Sequence, residues 1–323
     1  MHGAIRILAA GLCLAFVVNA PAATQWHMPT PYPDGEHHTR NIRLFAADVE
    51  AATGGNLEIV VHSGASLFKH PEIHRAVRSG QVPIGEMLMG LLGNDAPLFK
   101  VDNIPFLATD FTTARRLWHS SRPYLEKSLE KQGLVLLFAV PWPPQGLYAR
   151  LPVASVTEFA GKKLRAYSPL TARLAMVLGA APVNVQTPEI PQAFSTGIID
   201  LMFTSPSTGV SSQAWDYTRY YIDTRAWIPK NMVIVNRRAF RRLPKPQQDA
   251  LLAAAAAAET RGWRMAEQET RDKTRTLEDN GMTVMPPTEN LQKELRAIGA
   301  TLAGEWVEET GSDGRAILDA MKD

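Results

Sequence analysis

The run Leu134–Val140 (LVLLFAV) leads straight into Pro141-Trp142-Pro143-Pro144. A near-continuous apolar run of that length reads as a strand covered on both faces. Three prolines in four residues cannot continue a central strand, because proline donates nothing to the ladder and fixes its own backbone angle. The chain therefore leaves one sheet at this point, and its remaining strands must build another.

Strand and helix patterns alternate on both sides of that break. Before it, Thr24–Met28 is strand-like and His37–Thr53 carries apolar residues at helical spacing until Gly54-Gly55. Leu57–His62 is a strand, Pro71–Ser79 a helix closed by Gly80, Ile84–Leu92 an apolar piece, and Phe111–Gln132 a helix ended by Gly133. After it come a strand (Lys163–Tyr167), a helix (Pro169–Gly179), a strand (Ala181–Gln186), a helix (Glu189–Thr196) and strands at Ile198–Thr204 and Met232–Val235. This is an α/β pattern, neither all-β nor a bundle. The longest periodic stretch, from about Gln247 to Asn280, contains no proline and a run of alanines, so its helix propensity is high. As a helix it would be roughly 50 Å long, longer than one small domain is wide. It is either a surface helix bent at Gly262 or a helix that crosses two domains, and its length favours the second.

Composition removes several function classes. Of 323 residues, 34 are Lys or Arg and 32 are Asp or Glu. That balance gives no basic excess for a nucleic-acid surface. Cys13 is the one cysteine, which excludes disulfides within the chain and multi-cysteine metal sites. It lies in a segment, residues 1–23, with Arg6, an apolar run from Ile7 to Val18 and small residues at Ala20, Ala22 and Ala23. That layout is a secretory signal cut near Ala22–Thr24. Leu12 stands where a lipoprotein signal needs a small residue, so a lipid anchor is not expected. The mature chain is expected to be exported, nearly neutral, free of thiol and, with no later run of 18 apolar residues, soluble.

Motifs for catalysis are missing. There is no phosphate-binding glycine loop, no GxSxG and no HExxH. His70 and His74 flank Glu72 at a spacing that on a helix would face a metal, but Pro71 marks a helix start between them, and a solvated surface is the expected reading. His37-His38 is a loop or first-turn pair. No Ser, His and Asp set stands out for nucleophilic catalysis. Arg165 is different: it alternates with Leu164 and Ala166 in a short strand just before Ser168-Pro169 opens a helix. A guanidinium there lies near the carboxyl end of a strand, where α/β sheets hold ligands, and its planar fork suits a carboxylate. A surface arginine in a basic cluster with Lys162 and Lys163 fits the sequence equally well.

Gly161-Lys162-Lys163-Leu164-Arg165, a helix, and then Gly197-Ile198-Ile199-Asp200 resemble the DctP-type solute-binding proteins of TRAP transporters. The resemblance extends over nearly the whole mature chain. It includes Thr53-Gly54-Gly55, Ser66-Leu67, Ile104-Pro105-Phe106-Leu107, Trp227-Ile228-Pro229-Lys230-Asn231 and Val235-Asn236. It implies a periplasmic receptor that closes on a small organic acid and delivers it to membrane permease subunits. The implied fold is two-lobed and periplasmic-binding-protein-like, with crossing strands at the hinge and a long helix along both lobes. After the signal, lobe I would comprise 24–144 with about 232–265, and lobe II 145–231 with about 266–323.

In that resemblance Arg165 holds the ligand carboxylate. Gln145 stands near the place of a second arginine in some members, and Thr204 or Ser205 would serve where many have an asparagine. Asn231 is the polar contact from the hinge side, and Tyr32 and Glu86 face the ligand from the first lobe. With Trp142, Phe203 and Trp227 as aromatic walls, the pocket would suit a monocarboxylate such as a 2-oxo, 2-hydroxy or aromatic acid. Trp142 and Trp227 are equally compatible with packing roles. No cofactor, metal or nucleic acid is expected, and the chain is expected to be monomeric and not an enzyme. A ligand-sensing subunit for a receptor kinase would share this sequence; a secreted enzyme on a small carboxylate is the remoter alternative.

Overall fold

The computed structural model describes residues 23–321, so the expected signal segment with Cys13 lies outside the described residues, apart from Ala23. The elements run β1 (Thr24–Pro29), α1 (His37–Ala52), β2 (Leu57–His62), α2 (Ile73–Ser79), β3 (Ile84–Leu88), α3 (Phe111–Lys131) and β4 (Leu134–Pro141). Beyond the prolines come β5 (Gly146–Ala149), β6 (Lys163–Ala166), α4 (Pro169–Val177), β7 (Ala181–Asn184), α5 (Ile190–Ser195), β8 (Leu201–Thr204), α6 (Pro206–Ser211) and β9 (Tyr220–Ile222). The chain closes with β10 (Lys230–Asn236), α7 (Arg237–Arg242), α8 (Lys245–Asp279), β11 (Thr283–Met285), α9 (Glu289–Thr310) and α10 (Ser312–Asp319).

The proline break separates two sheet systems, giving a two-lobed α/β fold. On one side β1 pairs in parallel with β2, and β10 lies antiparallel between β3 and β4. On the other, six strands follow the order β11-β9-β5-β8-β6-β7, with β6 parallel to both β7 and β8. The chain crosses between them in two places, at Trp142–Gln145 going out and at Asp223–Pro229 coming back. The crossings bind each other: Trp142 N–H donates to the Pro229 carbonyl (2.8 Å), Gln145 N–H to Trp227 (2.9 Å) and Ala226 N–H to Gln145 (2.8 Å). The prolines remove ladder donors just where the strand must change sheets, and the remaining amides are satisfied by the other crossing.

The long helix is the third connection. At 35 residues α8 spans about 52 Å and passes through Gly262 as one element. Its first half lies on α1 and β4, its second on α6 and β11. Gly262 allows close approach: a Cβ there would lie 2.4 Å from a Val140 methyl and 2.8 Å from the Asn41 amide. Trp263 beside it donates from Nε1 to the Ala139 carbonyl (3.1 Å).

Some details differ from the sequence reading. β7 stops at Asn184, and β8 starts only at Leu201, because residues 198–200 turn back after Gly197, whose φ of 70° only glycine adopts easily. His70 and His74 are not on a solvated surface; both are buried, His70 beside β3 and His74 on the inner face of α2. The helices α9 and α10 were not expected. Trp306 Nε1 donates to the Pro97 carbonyl (2.8 Å), while Arg173 of α4 pairs with Glu305 (2.6 Å), so α9 reaches segments on both sides of the crossings. Among the described residues no helix is long and apolar enough to cross a membrane.

Candidate ligand-binding site

The crossings form the base of a cavity between the two sheet systems. Tyr32, His70, Leu88 and Trp142 border it from the first, and Gln145, Arg165, Tyr167, Gln186, Thr187, Thr204 and Thr208 from the second. Pro229 closes the base, and the space measures about 380 Å³ with its open mouth. The cleft continues outward between Gly64–Ala65 and Lys69–Pro71 on one bank and residues 186–189 on the other.

Arg165 reaches this cavity from β6, near its carboxyl end, because Ser168 caps α4 there and turns the chain away. The Ser168 hydroxyl accepts from Thr171 N–H (3.3 Å), and Pro169 occupies the first turn. The guanidinium is buried, with Nε donating to the Val185 carbonyl (2.9 Å) and one terminal nitrogen near the Thr187 hydroxyl (3.5 Å). The guanidinium carbon lies 5.0 Å from the centre of the Tyr167 ring. None of the ion pairs formed by the described residues includes Arg165. Burial lowers its pKa to about 10, against the partial support of nearby tyrosines. At neutral pH it remains a buried cation without an ion-pair partner, Glu189 at the mouth of the cleft being the one carboxylate among the nearby groups that support its charge. That is costly unless something negative occupies the cavity.

The wall opposite is a network of donors and acceptors around one buried carboxyl. Asn231 Oδ1 accepts from Trp142 Nε1 (2.9 Å) and from the Tyr32 hydroxyl (3.4 Å), while its Nδ2 donates to Glu86 (2.7 Å). Glu86 also accepts from the Thr30 hydroxyl and lies 3.5 Å from His38. Burial raises the Glu86 pKa to about 7, outweighing the two donors. Burial also holds the His38 pKa well below the usual range. Gln145 is fixed by its own crossing, its Nε2 donating to the Pro143 carbonyl (2.9 Å) and its Oε1 accepting from the Tyr167 hydroxyl (3.4 Å).

Of the residues singled out in the sequence, Arg165, Gln145, Trp142, Thr204 and Tyr32 meet at the cavity. Asn231 and Glu86 stand one layer behind it, holding Tyr32 and Trp142 in place. Ser205 caps α6, accepting from Thr208 N–H (3.0 Å), and it is Thr208 that borders the cavity. Trp227 packs on Phe203 and donates to the Tyr167 hydroxyl (3.0 Å), a supporting role rather than a wall. His70, Tyr167, Gln186 and Thr187 were not foreseen. Tyr167 alone carried a signal, since it follows Arg165 by two and so shares its face of the strand.

Glu36, His37 and Glu269 bring three potential metal-ligating atoms within 4.8 Å of one another. Their atoms already have protein partners, however. Glu269 pairs with Arg40 and accepts from Ser207 (3.3 Å), and the His37 ring lies between Glu36 and the Pro141 carbonyl (both 3.1 Å).

The sequence model of DctP, bacterial extracellular solute-binding protein family 7, matches residues 31–309. Three solved structures share the fold across 93% of this chain. The Bordetella pertussis extracytoplasmic solute receptor DctP7, described as binding pyroglutamic acid, is 51% identical with a TM-score of 0.92 and is covered completely. DctP6 of the same organism, also described as binding pyroglutamic acid, is 41% identical with a TM-score of 0.91 and is 99% covered. A marine metagenome TRAP solute-binding protein in complex with co-purified pyroglutamate is 38% identical, again with a TM-score of 0.91 and 99% covered.

Proposed function

The chain belongs to bacterial extracellular solute-binding protein family 7, and from that premise we propose that it is a periplasmic receptor for pyroglutamate or a closely similar monocarboxylate, which it delivers to a TRAP permease. The observation that carries this reading is Arg165: one buried guanidinium, with no anionic partner, faces a cavity whose other lining groups are uncharged at neutral pH. One cation suits one carboxylate. A dicarboxylate would bring a second charge that finds no partner, and the place where a second arginine would stand is Gln145.

Pyroglutamate meets the rest of the lining. It is a compact ring whose faces suit Tyr32, Trp142 and Tyr167, and its lactam needs one donor and one acceptor, which hydroxyl and amide side chains supply. A 2-oxo acid also combines one carboxylate with one carbonyl acceptor, although its carbonyl adjoins the carboxylate where pyroglutamate has the ring N–H, so it is the natural competitor. The lobes would close about the paired crossings, because a ligand touching both banks binds the closed form better. Their boundaries fall at those crossings, 24–144 with about 232–265 against 145–231 with the chain from about 266. The contacts of α10 with α3 would make it travel with the first lobe.

The test is a thermal-shift screen of ligand-free protein against organic acids, with mass spectrometry of any co-purified ligand. Pyroglutamate is expected among the largest stabilisers, and four-carbon dicarboxylates and uronates to have little effect. Stronger stabilisation by either of those classes would overturn the assignment.

A further inference from the structure

His70 lies on the first-lobe bank of the cavity, across from Arg165. Its Nε2 accepts a hydrogen bond from the backbone N–H of Leu88 at 3.0 Å. A ring nitrogen that accepts from an amide carries no proton, so in a neutral imidazole the proton is on Nδ1. The doubly protonated ring is strongly disfavoured: burial and the Arg165 charge lower the pKa to about 3. The remaining polar edge, Nδ1–H, has the Gln186 side chain of the opposite bank as its hydrogen-bond partner, which a ligand carbonyl would displace, and the ring is held edge-on to Tyr32 with centroids 5.5 Å apart. The lining of the inner cavity includes no aspartate or glutamate, Glu189 standing outside it at the mouth of the cleft.

We propose that His70 is a specificity-determining residue, presenting a fixed Nδ1–H donor that reads a carbonyl oxygen on the ligand while Arg165 holds its carboxylate. Two donors on opposite banks, with no carboxylate between them, select an acid whose second polar group is an acceptor. A lactam or 2-oxo oxygen satisfies His70. An α-ammonium group finds no anion and meets a second positive field from Arg165, so the site rejects proline and glutamate although each carries the carboxylate. This deepens the proposed function and rests on its ligand class.

The tautomer is read first, on ligand-free protein, from the nitrogen chemical shifts of the imidazole rings. The His70 ring is expected to show a protonated Nδ1 and a bare Nε2; the reverse pattern would overturn the proposal whatever the ligand proves to be. Specificity is read from the affinities of pyroglutamate, L-proline and cyclopentanecarboxylate, which keeps the ring and carboxylate but lacks the lactam. His70→Ala is expected to weaken pyroglutamate by about 10- to 100-fold, the cost of leaving one buried polar group unpaired, with cyclopentanecarboxylate little changed. His70→Gln, which can accept from Leu88 and donate to the ligand, is expected to restore most of the loss. An equal loss for both acids would make His70 merely structural and refute the reading. If wild-type protein binds no pyroglutamate, the ligand assignment fails, and the pair 2-oxobutanoate and butanoate applies the same comparison to the acceptor rule.

Discussion

Replacing Glu86 by glutamine should remove a pH-dependent penalty built into the wall behind the site. Glu86 is 1% exposed, and burial moves its pKa from 4.5 to about 7. Between those values the folded protein holds a proton that the unfolded chain has released. Stability therefore falls as pH rises through that window and levels off above about pH 7. The interval corresponds to about 3 kcal/mol at 1.36 kcal/mol per unit. Glutamine imitates the protonated acid, since its oxygen can accept from Asn231 Nδ2 and its amide can donate to the Thr30 hydroxyl. Denaturant unfolding of both proteins from pH 4 to pH 8 measures the difference directly, with other titrating groups cancelling between them. Glu86→Gln is expected to be about as stable as wild type near pH 4 and up to about 3 kcal/mol more stable at pH 8. A difference that stays constant with pH would show that Glu86 titrates alike in the folded and unfolded chain and that burial does not dominate its titration.

Two further substitutions probe the frame around the cavity. Gly262→Ala gains roughly 1 kcal/mol of helix propensity, but its Cβ would lie 2.4 Å from Val140, so a net loss of about 1–2 kcal/mol in denaturant unfolding is expected. Trp142→Phe removes the donor to Asn231 Oδ1 and leaves a buried acceptor short of a partner; a loss of about 1–2 kcal/mol in stability, with weaker ligand binding in calorimetry, is expected.

The parts of this fold that were legible in the sequence are those with a strong one-dimensional signal. The apolar run of β4, the prolines that end it and the alanine-rich α8 each impose their structure locally. The short strands β5, β9 and β11 do not. Each is only three or four residues long and becomes a strand through its neighbours in the sheet. The same division holds at the site. Arg165 was visible because it interrupts a strand just before a helix cap. His70 was not, because a histidine beside a proline at a helix start looks like surface until β3 brings Leu88 N–H against its ring. Trp227 and Ser205 carried the right chemistry on the right segments, but side-chain direction at the crossing and at the cap of α6 turned them inward to packing. Glu86 points toward the site yet stops at Asn231, a distance that only the register of β3 against β10 defines, with Leu88 opposite Asn231.

The central claim is that Arg165 is the carboxylate clamp, and calorimetric titration of pyroglutamate into ligand-free wild type, Arg165→Ala and Arg165→Lys tests it most directly. Wild type is expected to bind one ligand per chain. The alanine variant, with its fold verified by circular dichroism, should lose several kcal/mol, on the order of 100-fold or more in affinity, and lysine should recover little because the planar fork is lost. Binding by Arg165→Ala within a few-fold of wild type would contradict the account.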